Sequence, residues 1–331
     1  MLIGKLLLFA VTQFISHDVS VGGFLRSGAD SVHPPAPSER VVRVNGASLH
    51  LLDWGGKGHL LLFLPGFGDN AHIFDDLAPA FTDHFHVVAL TPRGIPPSSA
   101  PDSGYTIAQA AEDVRGILDS LKVSKVILAG HSISGSVITQ FGIAHPNRLG
   151  AAIYFDASID FRAAYQRSHR PGKPTPGDTT GVAYRAWQAR YRDSLSSPTI
   201  LAAITANEKA WQIDSVDLER RRKLVAPLAN EVRLHPHEPW RITAPALALC
   251  SEGSFDRGLG WLTPDSARWK DARVFYERVT KEKRDECEQF ATRNRRAKVL
   301  MLGGGHYVFI DSRAEVVRAM RSFLARVPLS G

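Results

Sequence analysis

The chain has 331 residues, of which 44% are hydrophobic, enough for one large domain with an insertion and a substantial core. Its formal charge is +7, but the basic residues are spread, with concentrations only at Arg220–Lys223 and Arg293–Lys298. That pattern reads as solvated helix faces and argues against a nucleic-acid partner. Two cysteines, Cys250 and Cys287, are too few for a disulfide framework or a metal-ligand set, and they leave the redox compartment open.

At the N-terminus, Lys5 precedes the apolar run Leu6–Val11, whose character persists to Ile15. The length suits a secretory signal core and is short for a membrane span. Small residues at Ser20–Gly23 offer an exit, although His17 and Asp18 depart from the usual pattern. Residues 1–23 are therefore expected to be a signal peptide, and the protein secreted or periplasmic, with the cytoplasm as the alternative. No stable membrane span is expected once that segment is removed. Residues 24–39, rich in Ser, Pro, Ala and Gly, read as a tether.

Val41–Trp54 reads as a hairpin turning at Asn45-Gly46. Leu60–Leu64 is a short buried strand that ends in Pro65-Gly66-Phe67-Gly68, and the spacing from Phe74 to Phe81 predicts a helix. The strand His86–Leu90 runs into Thr91-Pro92-Arg93-Gly94. A strong helix spans Thr106–Leu121, with Thr106 and Gln109 as a capping box and Ile107, Ala111, Val114, Ile117 and Leu118 on its apolar face. The strand Lys125–Ala129 leads into Gly130-His131-Ser132-Ile133-Ser134-Gly135, and an apolar helix follows to His145-Pro146. A strand at Gly150–Phe155 ends in Asp156. From Asp160 to Ala244 no strand is evident: a Pro/Gly loop at 170–177 is followed by helical stretches carrying Trp187, Tyr191, Leu195, Trp211 and Ile213. The strand Pro245–Cys250, a charged helical excursion to Arg296, and the strand Ala297–Leu302 complete the pattern. The last strand ends in Gly303-Gly304-Gly305-His306, and Ser312–Glu315 caps a final helix through Phe323.

Apolar strands that end in glycine loops and alternate with helices predict a parallel sheet with its functional loops on one edge. Ser132 sits at a strand-to-helix turn between small residues, where a strained backbone exposes its hydroxyl. Taken with the Pro65–Gly68 loop and His306, in that chain order, the sequence resembles the α/β-hydrolase family over about residues 40–160 and 240–325. The resemblance implies an α/β class fold, a mostly parallel central sheet with helices on both faces, with the core at 40–159 and 245–331 and a helical cap at 160–244.

It also implies roles. Ser132 is the nucleophile and His306 the general base, because a free serine hydroxyl attacks poorly at neutral pH. The backbone N–H groups of Phe67 and Ile133 form the oxyanion hole. Pro65 stands where the family usually has histidine, and Thr91 replaces an aspartate in the Asp-x-Arg-Gly turn, leaving Arg93 and Gly94 a bracing role. The acid is open. Ser254 occupies the usual position, so Asp156, at the end of the preceding strand, is favoured on rigid placement, with Asp256 and Glu252 as alternatives. Asp69, Asn70 and His72 either touch substrate or fix the oxyanion loop. His235, His237 and Glu238 lie between prolines and are not expected to bind metal.

The expected activity is cleavage of an ester or similar acyl bond in a small to medium substrate through a Ser132 acyl-enzyme. The alternatives are carbon–carbon hydrolysis, hydroxynitrile lysis, cofactor-free perhydrolysis, or a non-hydrolytic ligand-binding protein that retains the fold. No metal or organic cofactor is implied, and the expected partner is a small-molecule acyl substrate. Ser132 at the nucleophile position disfavours the aspartate-nucleophile dehalogenases and epoxide hydrolases.

Overall fold

A computed structural model describes residues 36–168, 215–253 and 267–328. The chain divides at Ala36/Pro37, and the body from Pro37 onward carries the architecture. The expected signal segment, the 170–177 loop, Trp187, Tyr191, Leu195, Trp211, Ile213 and Asp256 lie outside the described residues.

Eight strands form one sheet in the order β1-β2-β4-β3-β5-β6-β7-β8. They are β1 Ser38–Val44, β2 Ala47–Gly55, β3 Leu60–Leu64, β4 His86–Thr91, β5 Val126–His131, β6 Leu149–Phe155, β7 Ala246–Ser251 and β8 Ala297–Leu302. β1 starts inside the expected tether because Ser38 pairs with Asp53 in the hairpin ladder. At the hairpin turn, Asn45 and Gly46 both take positive φ, as a two-residue turn matching strand twist requires. β2 pairs antiparallel with β4, and β3 to β8 run parallel. Every residue of β3, β5, β6 and β7 is buried, the signature of strands covered on both faces.

The register places the functional edge. His131 pairs with Phe155, Phe155 with Leu249, and Ser251 with Leu302. The residues that follow these strand ends therefore come together from segments far apart in sequence.

Helices cover both faces. One core layer packs α1 (Ile107–Ser120) and α2 (Ser134–Ala144) against Leu62, Leu128 and Tyr154; the other packs the C-terminal helices against Phe63, Phe155 and Leu249. The Thr106 side chain caps α1 by accepting from Gln109 N–H, but Gln109 turns to Asp113 instead of reaching back, so the capping box is half formed. Two short 3₁₀ turns, Ala71–Phe74 and Ala78–Phe81, replace the single helix expected over 74–81. Asn70 caps the first and Pro79 starts the second, and each punctuates the segment too soon for an α-helix.

Between β6 and β7 the described residues contain α3 (Phe161–Ser168), α4 (Ser215–Leu234) and a 3₁₀ turn at Pro239–Arg241, with no strand. After β7 comes the long helix α5 (Ala267–Arg293). The two cysteines, too few for a framework, do pair: Cys250 at the end of β7 and Cys287 on α5 are disulfide-bonded. Both are buried, so the bridge ties α5 to the sheet edge. The short helix α6 (Val308–Asp311) and α7 (Arg313–Leu324) finish the body. Ser312 does not cap α7 with its side chain; its hydroxyl donates to the Gly303 carbonyl, so it secures the glycine loop instead.

Candidate active site

Ser132 follows β5 with φ of +53° and Asp156 follows β6 with φ of +48°. Left-handed backbone costs a non-glycine residue about 1 kcal/mol or more and persists where surrounding structure enforces it. Here the two strained residues lie side by side at the ends of paired strands, and Ser132 N–H donates to Phe155 O at 3.2 Å. The small residues of the turn have separate tasks. Ser134, in the position where glycine is commoner, donates to the Pro65 carbonyl at 2.5 Å and so ties the Pro65–Gly68 loop to α2. Gly135 lies against the loop after β6: a Cβ there would sit 2.1 Å from Ala157 O.

His306 comes from the loop after β8. Gly304 has φ of +103° and lies against Asp311, whose carboxylate accepts from Gly305 N–H at 2.6 Å. His306 Nδ1 is 2.7 Å from Asp156 Oδ2. A carboxylate only accepts, so Nδ1 carries the proton and Nε2 is left as the basic nitrogen. Burial alone would raise the Asp156 pKa, but the charge of Lys283 and the bond to His306 hold the carboxyl well below the usual range. It therefore stays ionised at any working pH.

Asp156 is oriented from three sides. Ser251 N–H donates to Oδ1 at 2.9 Å, and Lys283 Nζ lies 2.8 Å from Oδ1 and 2.9 Å from Oδ2. Glu252 turns away to Arg284 at 2.9 Å. Of the three carboxylates weighed from sequence, Asp156 is brought to His306, Glu252 is not, and Asp256 is outside the described residues.

Behind the histidine, the buried His131 ring stacks 4.5 Å from the His306 ring, and its Nε2–H donates to the His306 carbonyl at 3.1 Å. Burial, then the nearby His306 charge, pushes the His131 pKa down, which keeps it neutral. Tyr307 donates to Asp69 Oδ2 at 3.2 Å, and burial followed by the Asp69 charge raises the phenol further above its ordinary value. Asn70 accepts from His72 N–H, and His72 pairs with Asp75. The Asn70 and His72 bonds stay within the segment after the Pro65–Gly68 loop, while Asp69 reaches that loop through its N–H, which donates to the Gly66 carbonyl at 3.2 Å.

Arg93 forms a bidentate pair with Asp113 at 2.6 Å for both bonds, buried beneath the same edge, which gives the bracing role expected of it. His237 bonds Thr139 and the Ile159 carbonyl through its two nitrogens, a core role. Beside Phe67 and Ile133 an apolar cleft opens, walled by Leu90, Ile95 and Tyr105 and by Val225 and Leu228 of α4.

A family profile described as "Alpha/beta hydrolase family" matches residues 61–319. The chain belongs to the alpha/beta hydrolase family. Epoxide hydrolase 3 of Mus musculus is 38% identical over 109 residues, which cover 32% of this chain and 30% of the mouse protein. The 2-(acetamidomethylene)succinate hydrolase of Mesorhizobium japonicum is 29% identical over 101 residues, 30% of this chain and 36% of that protein. The chain thus spans about a third of the length of these two curated relatives. Among solved structures, E-2-(acetamidomethylene)succinate hydrolase matches with a TM-score of 0.60 at 20% identity, over 87% of this chain and 99% of that one. A thermophilic esterase from Thermogutta terrifontis matches with a TM-score of 0.57 at 18% identity, over 88% and 99%. At such identities the solved structures speak for the hydrolase fold alone.

The sequence pointed to Ser132, His306 and Asp156, and to Phe67 and Ile133 as an expected oxyanion hole. It did not point to Lys283, Ser251 or the loop-bracing roles of Ser134 and His131. Lys283 lies one turn before Cys287 on a helix that reads as a run of charges. The available signal was that shared face, since a buried cysteine four residues on points the lysine at the sheet.

Proposed function

We propose that the protein is a serine hydrolase that cleaves an ester or similar acyl bond of a small to medium substrate. Ser132 attacks the carbonyl, and His306 Nε2 takes its proton and returns it to the leaving group. Asp156 holds the imidazole tautomer and stabilises the imidazolium. The tetrahedral oxyanion is met by the N–H groups of Ile133, at the start of α2, and Phe67, each contributing on the order of 3 kcal/mol to the transition state. The acyl-enzyme is then hydrolysed by water activated by His306. The apolar cleft beside Phe67 and Ile133 suits the acyl portion.

The observation that carries this reading is the 2.7 Å bond from His306 to an ionised, buried Asp156 beside a serine held in left-handed backbone. Epoxide opening, the activity named for the mouse relative, finds serine where that chemistry uses an aspartate nucleophile. A fluorophosphonate probe should label the wild type, and Ser132→Ala should abolish both labelling and p-nitrophenyl ester turnover while remaining folded. An unlabelled, ester-inactive wild type would leave the fold and remove the function.

A further inference from the structure

Asp156 has more partners than orienting an imidazole requires. Its carboxylate accepts from His306, from Ser251 N–H and from the ammonium of Lys283, which also donates to Ser251 Oγ at 2.5 Å. Lys283 reaches this point from α5, and Cys287, one turn further along the same face, is bonded to Cys250, the neighbour of Ser251. The helix carrying the lysine is thus clamped at the strand end that meets the acid. Lys283 is mostly buried, and a buried ammonium costs several kcal/mol unless it is fully partnered. Apolar packing at this position would anchor α5 without that cost, so the charge itself calls for an explanation.

We infer that Lys283 is a positioning residue for the proposed triad, locking the Asp156 carboxylate and offsetting the negative charge that His306 sees. The inference rests on the serine-hydrolase reading for its catalytic meaning. An imidazolium formed at His306 then faces a near-neutral Asp156–Lys283 pair instead of a bare carboxylate. The Lys283 bonds also bar the carboxylate from rotating away from Nδ1. The other charged or titratable groups around this pair are His131 against the His306 ring, with Asp69 and Tyr307 behind it. Asp311 holds the loop through Gly305, and the Glu252–Arg284 pair lies at the end of β7. Among the described residues, the ammonium of Lys283 and the imidazole of His306 are the two ionisable side chains in direct contact with Asp156.

The test is the titration of His306, followed by NMR on protein carrying ¹³C-labelled histidine, with the signal assigned through His306→Gln. This needs no turnover, so it stands apart from whether any ester is cleaved. Lys283→Met and Lys283→Gln should each raise the His306 pKa by about one unit, the size expected for removing a nearby charge partly screened by solvent. Lys283→Arg should stay near the wild type. With an ester substrate, the acidic limb of kcat/KM should move upward in the same variants. Either charge-free variant, folded, with a His306 pKa within about 0.2 units of the wild type overturns the inference. So does failure of both to fold while Lys283→Arg folds, since that outcome marks a purely structural anchor.

Discussion

Gly135→Ala tests whether the helix after Ser132, the proposed nucleophile, sets the position of Asp156, the proposed acid. A Cβ at this position would lie 2.1 Å from Ala157 O, 2.9 Å from Ala157 Cβ and 3.0 Å from Ala157 C. Two of these contacts fall below the 3.0 Å limit of real Cβ contacts, and the first atom is backbone, which has no rotamer to escape into. The loop after β6 must retreat by roughly 1 Å, and Asp156 is the residue immediately before Ala157. A shift of about 1 Å in a catalytic group costs roughly 100-fold in rate. The 2.7 Å bond from Asp156 to His306 has no slack to absorb it. Overpacking of this kind destabilises by about 1–3 kcal/mol, partly offset by the better helix propensity of alanine. Steady-state kinetics on a p-nitrophenyl ester should therefore show kcat/KM about 100-fold lower, with a Tm drop of a few degrees. A folded Gly135→Ala enzyme within about threefold of the wild type would refute the reasoning, because the acid would then be independent of this contact.

Asp156→Asn should lower kcat/KM by about three orders of magnitude or more, since the amide favours the wrong His306 tautomer, and it also strands Lys283 without its counter-ion. Glu252→Gln should stay within a few-fold; comparable losses in both would undo the assignment of the acid. Acid should destabilise the fold through His131 and His237. Burial pushes both pKa values below the ordinary 6.5, with the His306 charge adding to the effect at His131. Unfolded chains then bind more protons than the folded state below pH 6.5, so stability falls as pH drops below that value. Asp156, held low, loses its contribution only below the ordinary carboxylate range and does not act in this window. Urea unfolding should show lower stability at pH 5.5 than at pH 7.5, and equal midpoints at the two values would contradict this.

The sequence by itself determined the elements whose signals are local. Buried strands show as unbroken apolar runs at Leu60–Leu64 and Val126–Ala129, the hairpin shows in Asn45-Gly46, and α1 shows in its periodicity. The serine elbow and the glycine loop before His306 were legible for the same reason, since each is a strained turn that needs small residues in a fixed order. Only the tertiary structure decided what depends on register between distant strands. The pairing of His131 with Phe155 and of Phe155 with Leu249 sets Asp156 beside Ser132 and within reach of Ser251. Rigid placement at a strand end favoured Asp156 but left Glu252 open; what separates them is that one faces His306 and the other faces Arg284. The disulfide and Lys283 were hidden for the same reason. Each joins β7 or β6 to a helix whose composition reads as solvated, and a single buried face on a charged helix becomes visible only once the sheet it covers is in place.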